Sequence, residues 1–311
     1  MKRATGRLLL LVLAPLAGRA VPQDPQPFHL SVDVDLVLLN ATVRDRGGRV
    51  ASDLREQDFE VFEDGVRQSI LVFRHEDIPV TVGLVIDHSG SMRPKLANVI
   101  AAARTFVQSS SPEDEMFVVN FNERASLGLL PQTQFTNRPD ELGLAISSTP
   151  ATGETALYDA ILKARDHLAA GSRDKKVLIV ISDGGDNASA HTLSEVLQAV
   201  SKSNLEIYTI GIFDPEDPDR NPGVLRQLAH ATGGEAFVPD QLSEVVSVCE
   251  RIAKDIRTQY TLGYTSSEAV RSNAYHTIRV VARAGKTKLV VRTRSGYSRS
   301  SGVSERANGG R

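Results

Sequence analysis

Five consecutive residues, Val82-Gly83-Leu84-Val85-Ile86, form an apolar and largely β-branched run that stops at Asp87-His88-Ser89-Gly90-Ser91-Met92. Such a run reads as a strand covered on both faces, since a half-exposed strand alternates with polar residues. The polar end is as informative. Asp87, Ser89 and Ser91 recur at spacing two, and Gly90 lets the backbone turn tightly. A carboxylate and two hydroxyls turned toward one point are hard oxygen donors, the ligand chemistry of a small divalent cation such as Mg2+. Open parallel α/β sheets take ligands outside the carboxyl ends of their strands, which is where this loop falls.

The surroundings of that run fit the same architecture. Residues 76–258 alternate strand and helix, with strands expected at 80–86, 115–121, 177–182, 205–211 and 235–238 and a short one at 125–130. Helices are expected at 93–109, 138–147, 156–170, 191–203, 221–231 and 240–257. The last shows an apolar stripe, Leu242, Val245, Val246, Cys249, Ile252 and Ile256, at helical spacing. The alternation implies an α/β fold, a doubly wound and mainly parallel sheet with helices on both faces.

Both flanks read differently. Leu30, Val32, Val34, Leu36 and Leu38 alternate with Ser31, Asp33 and Asp35, the pattern of a half-buried strand. Residues 59–62 and 66–73 flank Asp64-Gly65, a hairpin signal because both turn residues tolerate positive φ. Beyond the α/β region, Tyr260, Leu262 and Tyr264 alternate with Thr261, Gly263 and Thr265, and Ile278, Val280 and Ala282 with Arg279, Val281 and Arg283. Ala284-Gly285-Lys286 is a turn before a final strand at 289–293. Neither flank has enough strands for a core of its own. Segments 29–75 and 259–297 are therefore expected to pack as one small β-sandwich, with the 76–258 domain inserted between them.

Two later segments follow the Asp87 loop in order. They are Gly153-Glu154-Thr155-Ala156-Leu157-Tyr158-Asp159-Ala160 and Val177-Leu178-Ile179-Val180-Ile181-Ser182-Asp183-Gly184. An Asp-x-Ser-x-Ser loop after an apolar strand, then a Thr loop, then a strand ending in Asp, resembles the metal-ion-dependent adhesion site of von Willebrand factor A domains. The resemblance implies a Rossmann-like fold and a metal set of Asp87, Ser89, Ser91, Thr155 and Asp183. It implies that both Ser hydroxyls bind the ion directly while Asp87 acts through water. Thr155 is implied as a third hydroxyl, direct or through water, and Asp183 as an outer or water-mediated carboxylate. This set offers two negative charges to a dication, so an acidic side chain of a partner protein can complete the coordination. Mg2+ is the expected ion, with Mn2+ or Ca2+ as alternatives. Asp58-Phe59-Glu60-Val61-Phe62-Glu63-Asp64-Gly65 and Tyr260-Thr261-Leu262-Gly263-Tyr264 resemble the flanks of a bacterial exported family of von Willebrand factor A-related proteins. The resemblance then extends over about 30 to 297.

Two positions depart from the family pattern. His88 stands where small or apolar residues are common, and Glu154 stands where Gly is usual. His88 is expected to point away from the ion, because 87 and 89 face it, and Glu154 to be a solvated loop residue. Asp186 either supports the loop or caps the following turn or helix. Thr152 is an alternative hydroxyl that does not align with the motif. Asp159 bonds within the site loops or lies on a helix surface. Asp214, Asp217 and Asp219 form an acidic loop broken by Pro215 and Pro218. Asn40-Ala41-Thr42 and Asn187-Ala188-Ser189 match glycosylation sequons, short patterns common by chance. Arg279, Arg283, Lys286, Lys288, Arg292 and Arg294 alternate with apolar positions, as on a solvated strand face.

The amino terminus bears on compartment. Lys2, Arg3 and Arg7 precede an apolar stretch at 8–16, and Gly18-Arg19-Ala20 supplies small residues around a cleavage point. Residues 1–20 therefore read as an export signal. The alternative is a retained anchor, but the stretch is well short of the ~20 residues of a spanning helix. No other segment is apolar and long enough to span a membrane, so the chain is expected to be exported, periplasmic or secreted. Residues 21–28 read as a linker and 298–311 as a disordered tail. The single cysteine, Cys249, cannot form an internal disulfide and reads as a small buried hydrophobe. A net charge of −2 argues against a nucleic-acid partner.

The expected function is an exported, metal-dependent binding or adhesion module that captures a protein or extracellular ligand through an acidic side chain. The alternatives are a Mg2+-dependent hydrolase or phosphatase with Asp87 as nucleophile, and a structural envelope protein with a stabilising metal. No second carboxylate follows Asp87 at spacing two, no Lys or His constellation supplies an evident acid or base, and no G-x-G-x-x-G or P-loop follows the first strand. The chain is therefore expected not to be an enzyme.

Overall fold

The computed structural model describes residues 36–214, 221–266 and 275–298. The expected export signal, the 21–28 linker, the start of the strand expected from Leu30, Asp217, Asp219 and the tail beyond 298 lie outside the described residues. Strands β1 (Leu36–Arg44), β2 (Phe59–Glu63), β3 (Val66–Gln68) and β4 (Val72–Arg74) come first. The central layer follows as β5 (Val80–Asp87), α1 (Leu96–Gln108), β6 (Glu115–Phe121), β7 (Ala125–Leu127), α2 (Pro139–Ser147), α3 (Leu157–Leu168), β8 (Lys175–Ser182), α4 (Leu193–Ser201), β9 (Leu205–Gly211), α5 (Pro222–Thr232), β10 (Ala236–Phe237) and α6 (Glu244–Arg257). Then come β11 (Tyr260–Thr265), β12 (Tyr275–Ala284), β13 (Thr287–Lys288), β14 (Val290–Arg292) and β15 (Gly296–Ser298).

The central sheet has the order β10-β9-β8-β5-β6-β7, and every pairing is parallel except that of β7 with β6. β5 lies between β6 and β8, and all its residues are buried. Its side chains alternate between two cores. Val82, Leu84 and Ile86 pack with Val99 and Phe106 of α1, Leu142 of α2 and Ile252 of α6. Val85 faces the other way, toward Leu157 and Ile161 of α3, Val196 of α4 and Leu225 of α5. Residue 83 shares that second face and must be glycine, because a Cβ there would meet Phe117 Cζ at 2.5 Å and Leu178 Cδ2 at 2.6 Å. Helices cover both faces, so the fold is the doubly wound α/β architecture. From β5 the chain builds β6 on one side and later β8 on the other. Ligand crevices in such sheets open where the strand order reverses in this way.

Both chain ends build additional antiparallel sheets. One has the order β14-β1-β11-β4, and the other the order β13-β12-β2-β3 with β15 beside β12. Each mixes strands from the two flanks: Ala41 pairs with Tyr260, and Val61 with Val280. They enclose a single apolar cluster that includes Leu39, Val43, Phe59, Val61, Tyr260, Leu262, Ile278 and Ala282. The Asp64-Gly65 hairpin has positive φ at both residues, 48° and 83°. The strand expected at 66–73 is instead two strands in different sheets, since β3 pairs with β2 and β4 with β11. That break lets Ile70 and Phe73 reach the shared core. The 289–293 strand likewise shortens to β14, which leaves β12 for β1, and Ser298, expected in the tail, closes β15.

Some helix boundaries also differ from expectation. α1 starts at Leu96 instead of 93, because Gly90–Met92 forms a 3-10 turn and Pro94 delays the helix. α4 starts at Leu193 because Thr192 is its cap: Thr192 Oγ1 accepts from the Glu195 amide and Glu195 Oε2 accepts from the Thr192 amide. Leu242 precedes α6, which starts at Glu244, yet still packs on the same core.

The terminal sheets join the central layer at the amino ends of its strands. Gln259 Nε2, at the start of the β11 flank, donates to Glu206 of β9 at 2.8 Å and to Thr42 Oγ1 of β1 at 3.2 Å. Arg292 pairs with Glu235 at 2.6 Å and with Asp255 at 3.3 Å, and Arg44 also pairs with Asp255. The Asp87 loop lies at the opposite, carboxyl end of the sheet.

Candidate metal centre

β5 ends at Asp87, which is fully buried. The β5–β8 register pairs Ile86 with Ile181, which leaves Asp87 and Ser182 as neighbours one step further. Ser182 Oγ donates to Asp87 Oδ2 at 2.6 Å, and the Ser89 amide donates to Oδ1 at 2.7 Å. Both oxygens are thus engaged, and they hold the turn that presents the two serines. Ser89 Oγ and Ser91 Oγ lie 3.1 Å apart. Ser91 Oγ donates to Asp183 Oδ2 at 2.5 Å, which joins the first loop to the end of β8.

The Thr155 loop is stitched to the same place. The Gly90 amide donates to the Gly153 carbonyl at 3.1 Å, and the Thr152 amide to the His88 carbonyl at 2.9 Å. Gly153 has φ +81°, and a Cβ on it would meet Glu123 Oε1 at 2.5 Å. Thr155 is 7% exposed. Its amide donates to Asn187 Oδ1 at 2.8 Å, and its carbonyl accepts from the Asn187 amide at 3.0 Å. The Thr155 hydroxyl has no hydrogen-bond partner among the described residues, unlike those of Ser89 and Ser91. Loops 87–91, 152–155 and 183–187 are therefore one bonded unit, and they bring Asp87, Ser89, Ser91, Thr155 and Asp183 to one end of the sheet.

The neighbouring residues sort themselves. His88 is buried with Nδ1 3.1 Å from the Ile86 carbonyl and Nε2 2.8 Å from the Ile146 carbonyl, so it ties the end of β5 to α2. Glu154 and Thr152 are exposed. Asp186 caps α3, which precedes it in the chain, and also the turn that follows it, where its Oδ1 accepts from the Ser189 amide at 3.4 Å. Its Oδ2 accepts from the Tyr158 amide at 2.9 Å and from Ser189 Oγ at 2.7 Å. Asp159 accepts from the Ala190 and His191 amides, both at 3.1 Å, and so ties α3 to the loop before α4. The basic run is not a uniformly solvated face. Arg292 is half-buried in ion pairs with Glu235 and Asp255, and Arg294 donates to the Ser201 and Gly296 carbonyls, both at 2.9 Å. Cys249 is buried, and burial pushes its thiol up to about 12.

Lys95, Ser182 and Asn187 also belong to the site and were not singled out as functional from the sequence. Lys95 Nζ donates to the Ile212 carbonyl at 2.8 Å and lies 4.0 Å from Asp183 Oδ2. Burial, and then the negative charge of Asp183, push the Asp87 carboxyl up from 3.8 to about 6, against the hydrogen bonds from Ser182 and Ser89.

Among the described residues no three His, Cys, Asp and Glu side chains gather into a metal-binding cluster. The donor set here is of another kind, two carboxylates among hydroxyls. Neighbouring ligands of an octahedral ion with bonds of 2.0–2.1 Å stand ~2.9 Å apart. The 3.1 Å and 2.5 Å separations along Ser89, Ser91 and Asp183 fall on either side of that spacing. Hard oxygens at this spacing suit a small dication, and Thr155 adds an uncommitted hydroxyl on a loop bonded to theirs.

The model of the von Willebrand factor type A domain matches residues 81–251, more than half of the 311. The chain belongs to this family. The match begins in β5 and ends in α6, so the type A domain is the central layer and the terminal sheets lie outside it. An uncharacterized protein of Synechocystis, sll0103, is 27% identical over 175 residues, which are 54% of this chain. The chain covers only 40% of that relative's length. Among solved structures, a von Willebrand factor type A protein from Catenulispora acidiphila is similar with a TM-score of 0.51 at 15% identity, covering 83% of this chain and 71% of that one. Proximal thread matrix protein 1 of the mussel byssus gives a TM-score of 0.50 at 17% identity, covering 63% of this chain and 51% of that one. At such identities these likenesses concern the type A fold alone.

Proposed function

We propose that this type A domain is a divalent-cation-dependent binding module, and that a protein partner docks through an Asp or Glu side chain at the cation. The observation that carries this reading is the bonded line Ser89 Oγ, Ser91 Oγ and Asp183 Oδ2, which joins the carboxyl ends of β5 and β8. In this reading Ser89, Ser91 and Thr155 give neutral hydroxyls, and Asp87 and Asp183 give the negative charge. A bound Mg2+ or Mn2+ would supply a Lewis-acidic position open to an anionic oxygen. Asp87 has both oxygens committed to Ser182 and Ser89, which suits a positioning role and not that of a nucleophile. The basic, apolar and small-residue pattern of 1–20 supports export, to a periplasmic or secreted location. Among the described residues no helix is long and apolar enough to cross a membrane.

Calorimetric titration of Mn2+ and Mg2+ into metal-stripped protein tests the reading, with Ser89→Ala alongside. One ion per chain is expected, with affinity falling on the order of 100-fold in the variant. Equal binding by both proteins would overturn the assignment. Phosphatase or peptidase turnover in Mn2+, lost in Asp87→Ala, would replace it with an enzyme.

A further inference from the structure

Lys95 lies four residues beyond Ser91, just before α1, and only 8% of it is exposed. Lysine is seldom buried so deeply without a partner, because removing an ammonium from water is costly. Here the partners belong to the site. Nζ donates to the Ile212 carbonyl at 2.8 Å and lies 4.0 Å from Asp183 Oδ2. That oxygen is the one that accepts from Ser91 Oγ at 2.5 Å. The Ile212 amide in turn donates to the Ser182 carbonyl at 3.0 Å, so the ammonium is clamped to the strand ends that carry the acidic residues.

We infer that Lys95 is a built-in counter-ion that weakens divalent-cation binding by the protein alone and couples it to binding of a carboxylate. This rests on the metal-dependent reading above. Asp87 and Asp183 bring −2 and Lys95 brings +1, so the protein offers −1 where the two carboxylates alone would offer −2. A dication then leaves the loaded site at +1 with Lys95 and at 0 without it. The lower negative charge draws the cation less, and the surplus positive charge holds an incoming carboxylate more. Lys95 thus favours simultaneous occupation by ion and anionic side chain over occupation by ion alone, a reciprocal coupling. It is a tuning residue, acting by its charge beside Asp183.

The test is calorimetric titration of Mn2+ into the full chain and into Lys95→Met, Lys95→Gln and Lys95→Arg, without and with acetate as the carboxylate probe. The expected result is Mn2+ affinity on the order of tenfold higher in the Met and Gln variants. Acetate should tighten Mn2+ binding by the unaltered protein, and this gain should shrink by a similar factor in those two variants. Lys95→Arg, which keeps the charge, should behave as the unaltered protein. Unchanged or weaker Mn2+ binding in the folded Met and Gln variants, with binding still lost in Ser89→Ala, would overturn the inference and leave the metal reading standing. Should the Met and Gln variants fail to fold, the unaltered protein decides: Mn2+ affinity indifferent to acetate would overturn the coupling. Absence of Mn2+ binding in every protein would overturn both.

Discussion

Asp87 shows how one residue carries both structure and chemistry. It is buried beside Asp183, and its carboxyl titrates at about 6 when no ion is bound. The folded-state value lies above the unfolded one, near 3.8. The associated stability is therefore fully present below pH 3.8 and is lost as pH rises through about 6. In chelator, the protein is predicted to lose up to about 3 kcal/mol between pH 4 and pH 7 from this group. Asp87→Asn should flatten that slope, as urea unfolding across the range will read. A slope unchanged in Asp87→Asn would mean that the burden lies elsewhere. The sequence displayed Asp87, Ser89 and Ser91 because they are adjacent in a single loop, and Thr155 and Asp183 because their loops resemble a family pattern. It did not display Lys95, Ser182 or Asn187 as site residues. Lys95 meets its carbonyl partner 117 positions away, and Ser182 its carboxylate 95 positions away. Only strand register and loop docking bring those pairs together, and neither is written in local spacing.

At the scale of elements, the readable features were those with local causes. The apolar runs at β5, β8 and β9 and the helical stripe of α6 follow from burial pattern alone. Boundaries followed finer chemistry. The Thr192–Glu195 capping box sets the start of α4, and Thr192→Ala is predicted to lower stability by about 1 kcal/mol, read as a shifted urea midpoint with unchanged slope. No shift would mean that water replaces the cap without loss. The terminal strands were harder to read. The 66–73 segment looks like one strand, yet it divides between two sheets so that side chains can fill a core shared by both flanks. β14 pairs with β1 while β13, just before it, pairs with β12. Such division is a tertiary demand with no local signature.

The whole molecule separates its two tasks along the sheet. The carboxyl ends of the strands hold the hydroxyl and carboxylate loops, and the amino ends hold the junction with the terminal sheets. Asp255, buried in α6, is shared there by Arg44 and Arg292. Asp255→Ala is predicted to remove about 3–5 kcal/mol of stability, because it leaves two guanidinium groups short of a buried partner. It should leave Mn2+ affinity unchanged at the far end of the sheet. An altered affinity in that variant would show that the two ends are coupled. The central claim, that the Asp87, Thr155 and Asp183 loops form a cation site, is tested most directly by anomalous scattering from crystals grown with Mn2+. The account predicts a single strong peak bonded to Ser89 Oγ and Ser91 Oγ at roughly 2.0–2.3 Å. A map with no peak there, or with its peak among the terminal sheets, would contradict it.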